Sequence, residues 1–263
     1  MSTLSPCRIC SANSPSVFQA KLLGHVPCTF FQCPGCGLLF SEKPYWLDEA
    51  YGSALSDLDT GLVQRNLALA SRLSALILLW LGPKGRYLDA AGGCGLLVRH
   101  MRDRGFDFYW QDKYAGNLLA RGFEEPSDAT FSAVSAFEVL EHLEDPVGFI
   151  ESTLARTGAG TLLFSTETYQ GAVPPLDWPY YAFDTGQHIA FYQPKTLDHI
   201  ARRLGLRRLS CGSFHVLTDR KLPQWVFRLL GSRWAGKAFT PINALCMRPL
   251  TLADSEALLQ RRR

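Results

Sequence analysis

Two pairs of cysteines carry the most specific chemistry in the chain. Cys7-Arg-Ile-Cys10 and Cys33-Pro-Gly-Cys36 are C-x2-C knuckles separated by 22 residues. That spacing lets four thiolates close tetrahedrally on Zn²⁺, and Gly35 and Gly37 let the second loop curl around the ion. A closed four-sulfur shell leaves no position for water, so such a site fastens a fold and activates no nucleophile. Cys28, Cys94, Cys211 and Cys246 have no such pairing, and most of them read as small buried hydrophobes.

A second constellation lies in Tyr87 to His100, YLDAAGGCGLLVRH. An apolar strand ends in Asp89, the glycines Gly92, Gly93 and Gly95 follow, and a helical run begins at Leu96. Strand, glycine turn and helix form the opening unit of a nucleotide-type α/β fold, where backbone approaches a ligand because no side chain prevents it. A carboxylate at Asp89 would repel phosphate and suits a cationic or amino-bearing ligand. Asp112, at the end of the strand candidate Phe106-Asp-Phe-Tyr-Trp-Gln and 23 residues beyond Asp89, stands near the spacing for ribose hydroxyls.

The elements that must position these residues are legible in outline. Residues 62–81 have a helical apolar rhythm that Gly82-Pro83 stops. Strands are expected at Thr161 to Thr166, Leu206 to Ser210 and Ser213 to Leu217, with a helix over 195–205 after Pro194. The N-terminal part should hold strands at Cys28 to Gln32 and Leu38 to Phe40. No internal repeat or low-complexity linker is present.

In these residues the sequence resembles the class I S-adenosylmethionine-dependent methyltransferases. The family's D-x-G-x-G-x-G turn stands here as Asp89-Ala-Ala-Gly-Gly-Cys-Gly95, with Ala91 in the place of the first glycine. Phe123-Glu124-Glu125-Pro126 is similar to the family's segment beside adenine. Phe131 to Pro146, FSAVSAFEVLEHLEDP, is similar to its fourth-strand motif, with Ser132 where the family often has Asp. GQHIAFYQPKTLDHIARRLG resembles the tail of zinc-containing, carbohydrate-modifying methyltransferases. The resemblance covers roughly residues 60–215.

It implies an α/β fold, a Rossmann-like seven-stranded sheet over 50–220, with a zinc ribbon-like module at 1–45 and a basic helical tail at 221–263. The cofactor would lie against Asp89, Ala91, Gly93, Gly95, Asp112, Phe123, Glu124 and Phe137. The reaction implied is methyl transfer from S-adenosylmethionine to a small acceptor, a saccharide or sugar nucleotide. Two rivals stand beside it: a methyltransferase of RNA or protein, and a non-catalytic S-adenosylmethionine-binding scaffold or sensor.

Residues past the carboxyl ends of the strands line the crevice of such folds, which puts Glu138, Glu141 and His142 near the reacting centre. Their E-x-x-E-H pattern is similar to a metal-binding trio in polyprenyl dihydroxybenzoate O-methyltransferases, and it equally suits caps and ion pairs of a short helix. The proline- and aromatic-rich insertion from Val173 to Tyr192 should form an acceptor lid, with Trp178, Tyr180, Tyr181 and Tyr192 offering stacking faces and hydroxyls. His188 is the first candidate for general base, with His142 and Tyr181 beside it. His215 is a weaker candidate.

Composition is that of a soluble globular protein, 47% hydrophobic and 19% charged, which excludes disordered and collagen-like classes. No uninterrupted apolar run approaches ~20 residues, and MSTLSPCRIC lacks the pattern of a secretory signal, so the cytoplasm is the expected compartment. The net charge of +3 hides an asymmetry. Residues 202–263 hold 13 Lys+Arg against 3 Asp+Glu. With Trp225, Phe227, Arg228, Arg233, Trp234 and Lys237, this segment could meet a sugar phosphate, a lipid head group or nucleic acid. Its aromatics could equally pack inward beneath solvated charges. The knuckles carry only Arg8 and Lys21 before Lys43, which argues against a nucleic-acid zinc module.

Overall fold

The cysteine knuckles are the turns of an antiparallel sheet. In this computed structural model, which describes residues 3–51 and 60–261, β1 (Leu4–Pro6) and β2 (Asn13–Leu22) flank Cys7 to Cys10. β3 (Val26–Gln32) and β4 (Leu39–Ser41) flank Cys33 to Cys36. A single helical turn, α1 (Leu47–Ala50), follows. The expected start of the large domain near residue 50 runs into 52–59, outside the described residues.

The long helix forms as its apolar rhythm predicts. α2 (Leu62–Leu76) widens into a π turn over Ile77–Leu81 and stops at Gly82, whose φ of 104° only glycine adopts readily. Leu62–Leu81 is, by length and composition, apolar enough to cross a membrane. Here its Leu69, Leu73, Leu76, Ile77 and Leu81 are buried in the protein's own core.

The main sheet contains β5 (Arg86–Ala90), β6 (Asp107–Gln111), β7 (Ala133–Phe137), β8 (Thr161–Ser165), β10 (Arg207–Cys211) and β11 (Phe214–Thr218), in the order β10-β11-β8-β7-β5-β6. β5, β6, β7 and β8 are parallel, and β11 runs antiparallel between β8 and β10. Every residue of β8, Thr-Leu-Leu-Phe-Ser, is buried, as a strand covered on both faces must be. Where seven strands were expected, the described residues form six. At the outer edge, beyond β6, only the parallel bridge Trp110↔Glu124 remains.

Helices cover both faces. α4 (Pro146–Thr157), capped by the Asp145 side chain on Gly148 N, and α5 (Pro194–Arg203), closed by a Gln193–Thr196 capping box, pack on one side around Val134, Ile150, Leu162, Phe164, Leu197 and Ile200. α2, α3 (Leu96–Asp103) and α6 (Gln224–Leu230) pack on the other, around Val98, Met101, Phe108, Val216 and Phe227.

Both ends of the chain are tied to the rest of the fold. β4 pairs with β9 (Ala190–Phe191), the return of the insertion after β8, so one five-stranded sheet contains both. Arg8 donates to Ser41 O, Glu42 O and Ile189 O, and Arg203 to Ile9 O. The C-terminal segment is helical and packs on the body of the protein. α7 (Arg233–Cys246) lies along α2, and α8 (Thr251–Arg261) inserts Asp254 against Arg102, which donates to both its carboxylate oxygens at 2.8 and 2.7 Å. The same guanidinium stacks 3.8 Å from the Phe123 ring centroid. This buried, bidentate pair closes the fold across 152 residues of sequence.

Candidate active site at the carboxyl ends of the parallel strands

Parallel register brings the carboxyl ends of β5, β7 and β8 together: Asp89 lies opposite Ser135, and Phe137 opposite Ser165. Asp89 is buried and accepts a hydrogen bond from Ser135 Oγ at 2.6 Å. Burial raises its pKa to about 7, the Ser135 bond opposes the shift, and the Asp112 charge adds to it. A cation placed beside Asp89 would stabilise its ionised form.

The turn after Asp89 is shaped for a ligand. Ala91 takes φ 59°, and Gly93 (φ 54°) and Gly95 (φ 85°) follow in the left-handed region. A Cβ on Gly95 would press on Asn117 and Ala120, whereas one on Gly93 would meet nothing within 4 Å. The turn is therefore fixed from behind and open in front. Trp110 Nε1 donates to Gly93 O at 2.9 Å. Asp112 accepts from Gly93 N at 2.9 Å, and from Tyr114 N and Ala115 N at 2.7 and 2.8 Å. These bonds aim its carboxylate at the turn and leave a lone pair on Oδ2 for a hydroxyl donor.

A second group stands beyond β7 and β8. Glu138, held at φ 55°, accepts a short hydrogen bond from Ser165 Oγ, and its N–H donates back to that oxygen. Tyr180 Oη accepts from Glu167 N at 3.0 Å and donates to Glu141 Oε1 at 2.8 Å. Glu141 is fully buried, and its Oε2 has no hydrogen-bond partner among the described residues. Burial, reinforced by Glu138, raises its pKa to about 8.

His188 Nδ1 lies 2.6 Å from Tyr180 O. A carbonyl partner places the ring hydrogen on Nδ1 and leaves the Nε2 lone pair free. Burial lowers the pKa of His188 below its usual value; burial, then the neighbouring His188, lowers that of His142 to about 3. Both rings are neutral at pH 7. Their centroids are 4.8 Å apart, and the ligating atoms of Glu141, His142 and His188 all lie within 4.8 Å of one another. The group can take up a proton, and its geometry could also hold one cation. The groups that converge are Glu141, His142 and His188, while Glu138 turns to Ser165.

The other predicted residues have these surroundings. Tyr181 is buried among Phe18, Phe183 and Phe191, with its hydroxyl on Pro174 O, so its neighbour Tyr180 is the tyrosine that reaches Glu141. Tyr192 is also fully buried and donates to Leu140 O. The insertion thus packs as a third core cluster with the N-terminal sheet, in place of an open lid. Phe123 faces Arg102, Glu124 folds back on Gly122 N and Asn117, and Phe137 stacks on Phe214. His215 has both nitrogens engaged, by Ser210 Oγ and Thr166 O, inside the core.

Two residues that the sequence reading passed over complete the site. Tyr51 Oη lies 2.9 Å from His142 Nδ1, and its ring stacks on Tyr114, two residues past Asp112. The pair spans from the ribose-type carboxylate to the histidines. No spacing rule marks them, because each is a single aromatic outside any periodic element.

The four knuckle sulfurs converge as expected. Cys7 and Cys36 Sγ are 3.5 Å apart, Cys10 and Cys33 Sγ 3.3 Å, and all four lie within 4.8 Å of one another. A tetrahedron with ~2.3 Å Zn–S bonds has edges near this length, whereas a disulfide needs ~2.05 Å. Ile9 N and Cys36 N donate to Cys7 and Cys33 Sγ, which suits thiolates. The contact with Cys36 lowers the Cys7 pKa to about 5 and raises that of Cys36. The residues fit a tetrahedral thiophilic ion.

Strand order defines the class: an open α/β protein with a mostly parallel sheet, in which the glycine turn and the acidic strand ends meet at the carboxyl edge where such folds hold ligands. The pattern of the methyltransferase domain family matches residues 63–210, more than half of the chain, and the chain belongs to that family. No curated protein matches it. Among solved structures it is similar to a mitomycin 7-O-methyltransferase, with 15% identity over 58% of this chain and 53% of that one, TM-score 0.41. A methyltransferase of calicheamicin biosynthesis, bound to S-adenosylhomocysteine, shares 12% identity over 62% and 55%, TM-score 0.45. The chain spans little more than half the length of these two. It covers 90% of a magnesium protoporphyrin IX methyltransferase from Synechocystis, which covers 65% of it, at 16% identity and TM-score 0.42.

Proposed function

We propose that this protein transfers a methyl group from S-adenosylmethionine to a small-molecule acceptor, with a saccharide or sugar nucleotide as the acceptor class, and that Cys7, Cys10, Cys33 and Cys36 hold a structural Zn²⁺. The observation that carries the reading is the open turn at Gly93 between the carboxylates of Asp89 and Asp112. Membership of the methyltransferase domain family supports it. When bound, S-adenosylmethionine supplies an electrophilic methyl on a positively charged sulfur.

The chain's own residues do the rest. Asp112 accepts a ribose hydroxyl on its remaining lone pair, Asp89 favours the positive charge, and Gly93 leaves room for close approach. His188 Nε2 removes the acceptor's proton, with Tyr180 O fixing its tautomer and Glu141 and His142 enclosing it. Beside Tyr180, a cavity of about 420 Å³ is lined by Glu167, Tyr169, Gln170, Pro174 and Trp178. Aromatic faces with carboxylate and amide groups suit a polyhydroxylated ring.

The test is transfer of labelled methyl from S-adenosylmethionine to a panel of sugar nucleotides, phenols, RNA and protein extract. Label in a sugar nucleotide supports the full reading. Label confined to RNA or protein overturns the acceptor class, and tight cofactor binding without transfer to any acceptor favours a sensor or scaffold. Asp112→Ala is expected to weaken S-adenosylmethionine binding by ~1.5–3 kcal/mol, roughly 10- to 160-fold, because charge-assisted hydrogen bonds are lost. Calorimetry reads the affinity and a melting curve checks the fold; unchanged affinity removes Asp112 from the site.

A further inference from the structure

The helix α7 is built inside out. The residues it buries are Ala235, Gly236 and Asn243, small or polar, and a Cβ on Gly236 would already press on the α2 backbone at Ser71 and Arg72. Three of its large apolar side chains face outward, with only Phe239 half-buried: Trp234 is 82% exposed, Ile242 42% and Leu245 89%. With the exposed Ala238 and Pro241 they fall at i, i+4, i+7, i+8 and i+11, a single stripe along the helix. α6 has an ordinary apolar inner face but adds to the outward surface. It buries Phe227 and Leu230 and exposes Trp225 (69%) and Leu229 (60%).

Exposed side chains of this size and alignment mark a surface that meets something apolar. The charge on the segment says what else the partner carries. Residues 220–253 contain six Lys and Arg (Arg220, Lys221, Arg228, Arg233, Lys237 and Arg248) and no Asp or Glu. Arg228, Arg233 and Lys237 are exposed beside the tryptophans, and Lys237 Nζ lies 5.8 Å from the Trp234 ring centroid. A second copy of the chain is poorly matched to this face, because a two-fold contact would set cation against cation without a compensating acid. A surface of anionic head groups over hydrocarbon answers both features: tryptophans and leucines enter the interface, and arginines and lysines meet phosphate.

We propose that the outward face of α6 and α7 docks the protein reversibly on an anionic lipid bilayer. The docking is independent of the methyl-transfer reading, and it would bring the active site to acceptors carried at a membrane surface.

The experiment is vesicle flotation of the full chain with phosphatidylcholine alone and with phosphatidylcholine containing phosphatidylglycerol. Flotation at least tenfold greater with the anionic vesicles, reversed by 0.5 M NaCl, and tryptophan quenching by brominated lipid are expected. Trp234→Ser with Leu245→Ser should lose most of the binding without a change in melting temperature, since both side chains are exposed. Absence of wild-type flotation on anionic vesicles overturns the proposal. So does equal binding by the double variant. A concentration-dependent dimer in sedimentation velocity that the double variant abolishes would instead assign the face to self-association and would also overturn it.

Discussion

Replacing His188 with glutamine is expected to lower kcat by roughly 10²–10⁴-fold while leaving S-adenosylmethionine affinity within about twofold. Glutamine can still donate to Tyr180 O, so the ring's place in the packing is largely kept, but it cannot accept a proton. The effect belongs in kcat because His188 stands with Glu141 and His142 beyond the strand ends, apart from Asp89, Gly93 and Asp112, the turn proposed to hold the cofactor. The pH profile carries a sign. Burial lowers the His188 pKa below its ordinary value near 6.5, so the base stays unprotonated as pH falls through 6.5. His188 should therefore add a loss of activity below pH 6.5 that the variant lacks, beneath any step near pH 7–8 from Asp89 and Glu141, whose pKa values burial raises to about 7 and about 8 and which both proteins share. A variant of full activity would remove His188 from the proton-accepting role.

The second large effect concerns the knuckles. Cys33→Ser should reduce bound zinc from one ion per chain to a small fraction and destabilise the protein by more than ~4 kcal/mol, because metal-binding free energy at such a site is folding free energy. The penalty spreads beyond the N-terminal sheet. Cys7, Cys33 and Cys36 belong to the same buried cluster as Phe31, Phe40, Leu197 and Ile200, and Thr196 Oγ1 donates to Cys36 O at 2.8 Å. Cys28→Ser is the control. Cys28 is buried outside the knuckles with its pKa raised to about 12 by burial, so it stays a thiol, and the variant should retain the ion. Elemental analysis with thermal unfolding reads both quantities. A wild-type protein purified free of metal and fully stable would contradict the assignment.

Local rules made much of this legible. Gly82-Pro83 ended the long helix where expected, and the strands around Asp89 and Asp112 and after Pro194 fell within a residue or two of their expected bounds, because each has its own apolar period and its own stop signal. The cysteine clustering was legible because C-x2-C geometry is local. Features set by long-range pairing were not. The two-residue β9 joins the N-terminal sheet only through partners at Leu39 and Phe40, and Asp254 finds Arg102 across 152 residues. Tyr180 and Tyr181 are adjacent in an irregular segment with no period to say which faces the site. Backbone conformation decided it, bringing Tyr180 to Glu141 and Tyr181 to the aromatic core. The outward tryptophans of α6 and α7 were open in the same way, since one amphipathic pattern serves an inward or an outward face equally well.

Isothermal titration calorimetry of the purified chain with S-adenosylmethionine and S-adenosylhomocysteine tests the central claim most directly. The open turn at Gly93, flanked by Asp89 and Asp112, predicts that both bind with a stoichiometry near one and that Asp112→Ala weakens both. Binding of neither, by a protein whose melting curve shows it folded, would contradict the methyl-donor site and with it the proposed reaction.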